Sequence, residues 1–329
     1  TTLSLYPVTG TQSDNPFSLV AVDWSPDGKW IAVGGGTERC SWSDPEAFAL
    51  QVIDAATGDL IYSFDGGPCN VTDVHWSLDG SKLAASVYDG DGVYIWDTTD
   101  WQLLVTQHSN TIAESYINWS PDGNWIVSTP ITGGMHLMDA MNGIAKFISG
   151  GASPVWNPSG DRVASIAEEY IIITDPFTDE RFPEKIISSD AGITLDWSPD
   201  GAKLALGDMH NNIQIRDTTN FEVITTLQGH TDLVYSVAWK SGELTDSTYL
   251  ASVSIDGTVR VWDTRLGIEL SEVQTGGQVY DVDWSPDGTQ LAYVGGEDGG
   301  LHIIPAPGLD DLINATPDTT PSPTYTDTR

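Results

Sequence analysis

The sequence predicts an all-β fold. It reads as a seven-bladed β-propeller with four antiparallel strands per blade, the ring closed by the N-terminal strand completing the last blade. Three observations carry this. The segment Trp-Ser-Pro-Asp-Gly recurs, intact at residues 24–28, 119–123, 197–201 and 284–288 and degenerate at 76–80, 156–160 and 239–243. The seven tryptophans that open these segments are spaced by 37 to 52 residues, a regular period that marks a repeat architecture. Short apolar runs alternate with turn signals throughout, and no long stretch has helical periodicity.

Each repeat is built in the same order. An alternating apolar run such as Val20-Ala-Val-Asp-Trp24 forms the first strand. Pro-Asp-Gly then turns the chain, because Pro presets φ at the first turn position and Gly accepts the positive φ that ends it. The second strand follows, as in Trp30-Ile-Ala-Val33 and Lys203-Leu-Ala-Leu206. A polar loop leads to a third strand closed by Asp, as in Tyr94-Ile-Trp-Asp97 and Val259-Arg-Val-Trp-Asp263. A short Thr/Gly turn leads to the fourth, such as Leu60-Ile-Tyr-Ser-Phe64. The last repeat runs into Pro305-Ala-Pro307, which continues a ladder poorly. The N-terminal Thr2-Leu-Ser-Leu-Tyr6 has no blade of its own and is expected to supply the missing strand, removing the exposed edges. The domain reading is therefore a propeller over residues 1–305 and a Thr/Pro-rich tail or linker over 306–329.

These residues resemble the WD-repeat β-propeller family. Trp96-Asp97 and Trp262-Asp263 are the dipeptide that names it, and the sixth repeat matches most fully, with Gly229-His230, Ser252, Asp256 and Trp262. The resemblance implies a hydrogen-bonded network of His230, Ser252, Asp256 and Trp262 that braces the blade. Other repeats depart from the pattern: Arg216 and Met138 stand where the fifth and third would carry Trp. The Trp-Ser-Pro-Asp-Gly turn also looks like that of the Tol-type periplasmic propellers of bacteria. The resemblance covers residues 17–305 and speaks to fold far more than to function.

The chain has 13 basic and 47 acidic residues, a net charge of −34. Such a surface repels nucleic-acid phosphates and anionic membranes, so neither nucleic-acid binding nor membrane insertion is expected. No apolar stretch is long enough to span a bilayer. The acidity raises divalent-cation binding, with Asp89 and Asp91 in one loop and Glu297 and Asp298 in another as candidate Ca²⁺ ligands. Both loops also read as ordinary Asp-Gly hairpin turns. Cys40 and Cys69 fall in loops that a propeller places on one rim, and a disulfide between them would contribute about 3.5 kcal/mol in the chain-entropy model. That bridge implies an oxidising compartment. With Thr as the first residue, the expectation is an extracellular or cell-surface protein whose signal peptide has been removed. Asn70 and Asn314 are candidate glycosylation sites; Asn118 also heads an Asn-x-Ser motif but precedes a core Trp.

No catalytic constellation stands out. The six His lack metal-ligand spacing, and no Gly-x-Ser-x-Gly occurs. Gly34-Gly-Gly-Thr37 follows a strand without a helix after it, so it is a poor phosphate cradle. Glu168 and Glu169 are adjacent and point to opposite faces of a strand, which does not suit glycosidase chemistry. The residues just before the repeat tryptophans, including Asp23, His75, Asn118, Asp196 and Asp283, line the central channel and are expected to bond turn amides. The function expected is a non-enzymatic interaction or structural propeller, self-assembling through its tail. The alternatives are a glycan- or ligand-binding module on the loop-rich rim, with Trp42 or Trp101 as a stacking platform, and an enzyme with a rim site.

Overall fold

The computed structural model describes residues 3–5, 18–36, 50–64, 70–88, 92–107, 114–130, 133–167, 170–178, 180–181, 191–240 and 248–306. Among these every regular element is a strand. β1 is Leu3–Leu5. Blade one holds β2 (Ser18–Trp24), β3 (Trp30–Gly36), β4 (Leu50–Asp54) and β5 (Leu60–Ser63). Blade two holds β6 (Val71–Trp76), β7 (Lys82–Val87), β8 (Gly92–Asp97) and β9 (Leu103–Gln107). Blade three holds β10 (Glu114–Trp119), β11 (Trp125–Pro130), β12 (Met135–Asp139) and β13 (Ala145–Ile148). Blade four holds β14 (Ala152–Trp156), β15 (Val163–Ala167), β16 (Tyr170–Asp175) and β17 (Glu180–Arg181). Blade five holds β18 (Ala191–Trp197), β19 (Lys203–Asp208), β20 (Ile213–Asp217) and β21 (Val223–Leu227). Blade six holds β22 (Val234–Trp239), β23 (Tyr249–Ser254), β24 (Thr258–Asp263) and β25 (Ile268–Gln274). Blade seven holds β26 (Val279–Trp284), β27 (Gln290–Gly295) and β28 (Gly300–Pro305), and β1 completes it.

The result is seven four-stranded antiparallel sheets. β1 pairs with β28, Leu3 opposite Ile303 and Leu5 opposite Leu301, so the ends of the ring meet inside one blade as expected. In all seven blades the pairing register of the first strand shifts ahead of its Trp, as between Leu19 and Ala21 or Val279 and Asp281. A bulge inserts a residue and sharpens the local twist, which turns the upper end of the strand toward the axis.

The Trp-Ser-Pro-Asp-Gly turn is held by its own side chains. Ser25 Oγ donates to Asp27 Oδ1 (2.8 Å) and accepts the N–H of Trp30 (2.9 Å), while Asp27 Oδ1 accepts the N–H of Lys29 (3.1 Å). Gly28 sits at φ +73°, where a side chain would be strained. Ser77 with Asp79, Ser120 with Asp122, Ser198 with Asp200 and Ser285 with Asp287 repeat the Ser-to-Asp bond. Blade four rebuilds it from other residues: Asn157 Nδ2 donates to Ser159 Oγ and Asp161 Oδ1, and Asn157 Oδ1 accepts the N–H of Arg162.

The core lies between blades. The buried apolar residues fall into seven clusters, one at each seam. Each repeat Trp is at most 7% exposed. Close approach explains the Gly34-Gly35-Gly36 run: a Cβ on Gly34 would lie 2.4 Å from Val71 Cγ1 of the next blade, and one on Gly35 would lie 2.3 Å from the carbonyl oxygen of Ser18 in the same blade. These glycines belong to strand β3 and serve packing.

Candidate functional site: the central channel and the braced sixth blade

The seven first strands are the inner edges of their sheets. Alternate residues of an edge strand point their N–H groups away from the only neighbouring strand, and these groups must find partners elsewhere. Here the preceding blade supplies them. Asp23 Oδ2 accepts the backbone N–H of Trp76 (2.6 Å), Asn118 Oδ1 that of Trp156 (3.0 Å), Asp196 Oδ2 that of Trp239 (2.8 Å) and Asp283 Oδ2 that of Trp24 (2.8 Å). One step further up the channel, Asp73 Oδ2 accepts the N–H of Ile117, Asp281 Oδ2 that of Val22 and Thr194 Oγ1 that of Val237. The expectation that these side chains serve their own turns is corrected: they bridge to the next blade, because the turn amides are already taken by the turn Ser and Asp. Asn118 commits its side-chain oxygen to this bond.

The indole groups reinforce the link in the same sense, donating back to the preceding blade. Trp76 Nε1 donates to the carbonyl of Asp23, Trp119 to His75, Trp197 to Val155, Trp239 to Asp196 and Trp284 to Ala238. Trp24 Nε1 and Trp156 Nε1 are buried without such a bond.

The channel encloses about 380 Å³ and is lined by five carboxylates, Asp23, Asp73, Asp196, Asp281 and Asp283, with His75 among them. Burial pushes Asp196 and Asp281 up to about 7, against the N–H bonds each accepts. Burial and then the charge of Asp23 raise Asp283 well above the ordinary carboxylate value. His75 Nε2 lies 3.4 Å from Asp73 and Nδ1 3.8 Å from Asp23. Burial opposes charge on this imidazole, but the two carboxylates outweigh it and hold its pKa well above 6.5. About a third of the His75 side chain faces the channel, 32%, so what it meets is confined space between carboxylates.

In blade six, His230 Nδ1 lies 3.0 Å from Asp256 Oδ2 and Nε2 lies 2.8 Å from Ser252 Oγ. Trp262 Nε1 donates to that same Ser252 Oγ (2.8 Å). The ionised Asp256 carboxylate can only accept, which assigns the Nδ1–H tautomer to His230 and leaves Nε2 to accept the Ser252 hydroxyl proton, while Ser252 Oγ accepts from the indole. Burial lowers the His230 pKa and keeps the ring neutral, despite Asp256. The spacing is that of a Ser-His-Asp triad, yet Ser252 is fully buried and its hydroxyl is occupied by the indole. The group is a brace. It extends outward through Thr258 to Arg260, which pairs with Glu269 and with Glu272 (2.6 Å).

Sequence reading missed the counterpart in blade five. Arg216 replaces Trp, donates to the carbonyl of Phe221 (2.9 Å) and to Gln214, and sits in a network with Asp208, which accepts from His210, Asn212 and Gln214. A buried Arg in the Trp position was the available signal.

Of the other candidate residues, Cys40, Cys69, Asp89, Asp91, Asn314, Trp42, Glu168 and Glu169 lie outside the described residues. Asp298 Oδ1 accepts the N–H of Gly300 (3.0 Å) and lies 2.9 Å from His302 Nε2, the arrangement of a capped hairpin turn; Glu297 is exposed beside it. Among the described residues no three His, Cys, Asp or Glu converge as a metal site. Asn70 sits at φ +54°, and its Oδ1 lies close over Gly36. Trp101 stacks on Tyr62 (5.2 Å, 18°) and also meets Trp30, Phe64 and Trp76, so its ring packs between blades one and two.

Fold and site together define a non-covalently closed, seven-bladed propeller whose recurring polar residues serve the ring itself. Comparison with known proteins agrees. The model described as "WD domain, G-beta repeat" matches residues 8–40, 58–97, 221–263 and 270–304, just under half of the chain, so WD40-type repeats are recognised in those parts of the propeller. It is 24% identical to Protein FIZZY-RELATED 3 of Arabidopsis thaliana over 84% of this chain and 47% of that one. It is 26% identical to Protein transport protein sec13 of Emericella nidulans over 80% of this chain and 85% of that one. The chain thus spans about half the length of the first relative and most of the second. Among solved structures, the Cps50 (Swd1) β-propeller domain of Myceliophteria thermophila superposes with a TM-score of 0.76, at 16% identity, over 93% of this chain and 99% of that one, a likeness of fold.

Proposed function

We propose that this protein is a non-enzymatic interaction platform, a rigid propeller that docks other proteins on its outer surfaces. The carrying observation is the division of labour among side chains. The channel carboxylates, the turn Ser and Asp residues and the sixth-blade network are spent on joining blades, while large apolar side chains such as Leu103, Met141, Ile144 and Ile224 stand exposed. Exposed apolar side chains on a stiff scaffold favour protein contacts. The names of relatives, a "cofactor of APC complex" and a "protein transport protein", fit a platform role. Reconstitution tests it: a partner cross-linked to the chain in its native source is purified, and binding is measured between the two pure components. Saturable binding is expected, and failure of every such candidate to bind overturns the reading.

The finer reading is a protein outside the cell that associates with itself through residues 306–329. Its support is the composition of that segment. A bacterial, Tol-like lineage rests on the turn sequence alone, and the relatives named above are from a plant and a fungus. Light scattering on the full chain and on residues 1–305 tests self-association. A multiple of 35.4 kDa is expected for the full chain and the monomer for the truncated one. Monomer in both cases removes self-association and leaves docking of other proteins.

A further inference from the structure

We propose that the outer rim where blades two and three meet is a docking surface for a cationic amphipathic segment of a partner protein. The inference rests on the platform reading and names its surface and the chemistry of its partner.

Exposed apolar residues occur on several blades, and two groups of them come close where blades two and three meet. Leu103 and Leu104 open β9 and are 50% and 48% exposed; Met141 and Ile144 flank the turn into β13 and are 82% and 71% exposed. The two groups are neighbours, because Gly143 between Met141 and Ile144 lies against Val105 beside Leu104: a Cβ on Gly143 would be 2.7 Å from Val105 Cγ1. Val105 itself is buried in the cluster that joins the two blades, so the exposed residues stand on a firm base. Both strands are the outer edges of their sheets, where backbone groups are free to meet another chain.

Charge decides the partner. The third strands of blades one to six end in Asp at this rim, and Asp97, Asp100 and Asp139 lie close in sequence to the apolar groups. Hydrogen bonds from Thr99 hold Asp97 below the usual carboxylate range, so it is charged across the physiological range. Lys146, the cation of β13, donates its Nζ to the carbonyl of Phe177 on blade four (3.0 Å). In a chain of net charge −34, an apolar patch in this setting selects apolar side chains flanked by Lys or Arg and repels acidic surfaces, a second copy of this chain included.

The test uses the full chain and a synthetic peptide of alternating Leu and Lys, with binding followed by fluorescence anisotropy. The variant Leu104→Ser/Met141→Ser/Ile144→Ser leaves net charge unchanged, as does the control Met209→Ser/Leu266→Ser, which alters exposed residues on other blades. All five positions are exposed, so both variants are expected to melt within a few degrees of the parent. The rim variant is expected to bind roughly tenfold or more weakly and the control to bind as the parent does. Added salt should weaken the parent's binding. Equal binding by rim variant and parent, or no binding by the parent, overturns this surface. The platform reading stands or falls separately on reconstitution with a native partner.

Discussion

Asp23 and Trp76 are joined twice across the seam between blades one and two: the Asp23 carboxylate accepts the backbone N–H of Trp76, and the Asp23 carbonyl accepts its indole N–H. The repeat Trp is therefore a packing residue and also the point at which one blade is handed to the next. Replacing Asp23 by Ala leaves the Trp76 N–H at an inner edge without its acceptor and should cost about 1–3 kcal/mol in chemical denaturation. Asp23→Asn, which retains an acceptor as Asn118 does naturally, should restore most of the loss.

The channel makes stability fall with rising pH. Asp196, Asp281 and Asp283 have folded-state pKa values raised above the unfolded value, so the native state binds more protons than the unfolded chain between about pH 4 and 7. His75 adds to this in the same sense, its contribution present below 6.5 and lost as pH rises through its higher folded value. The turn carboxylates Asp79, Asp122 and Asp287 act oppositely, their contribution present above the unfolded value and lost in acid. Melting temperature should peak on the mildly acid side and decline toward pH 8, and Asp283→Asn should flatten the decline. A peak above pH 7 would contradict this.

Ser252→Ala removes one acceptor and one donor from a fully buried network, stranding both the Trp262 indole and His230 Nε2. A loss of roughly 2–4 kcal/mol is expected, with no change in any binding measured at the rim of blades two and three.

Trp101 stands at φ +58°, a strained conformation for a bulky residue, and Gly58, Gly143 and Gly267 also adopt positive φ in turns that lead to fourth strands. Trp101→Gly relieves the strain and empties the centre of the aromatic group around Tyr62, Phe64 and Trp76. Because large aromatic deletions outweigh backbone relief, a net loss of about 2 kcal/mol is expected in urea denaturation.

At the lower mouth of the channel the turns also touch. A Cβ on Gly80 would meet Pro26 of the preceding turn at 3.7 Å, one on Gly160 would meet Pro121 and one on Gly201 Pro158. Leu78 interrupts this series: it replaces Pro, is exposed, and leaves open space beside Gly123. Leu78→Pro should restore the contact and stiffen the unfolded chain, raising stability by about 0.5–1 kcal/mol.

Blade number, strand order and the closing strand were legible because they depend on local chemistry that repeats: a strand pattern, a turn that needs Pro and Gly, a Trp at fixed phase. The bonds from Asp283 to Trp24 or from Asp281 to Val22 were not, since they join residues about 260 positions apart whose relation exists only once the ring closes. Arg216 was visible as a departure from the repeat, but its partners Gln214 and Phe221 are fixed by burial, which the repeat pattern does not express. The exposed pair Met141 and Ile144 was silent for a related reason. Apolar residues in a turn become conspicuous only when the neighbouring blade fails to cover them.

The covalent break in the ring lies inside blade seven, between β28 and β1, and the chain passes from β1 into blade one across the seam between blades seven and one. Asp283 there accepts from both Trp24 and Trp284, and Asp281 from both Val22 and Val282. Two side-chain bonds, Asp283 to Trp24 and Asp281 to Val22, thus reinforce the seam next to the place where the ring is closed by strand pairing alone. Circular permutation follows as an engineering route: with the ends joined through a linker, new termini cut between blades six and seven would fall where Ala238 lends no side chain to Trp284. The permuted ring would keep its closing stitches intact.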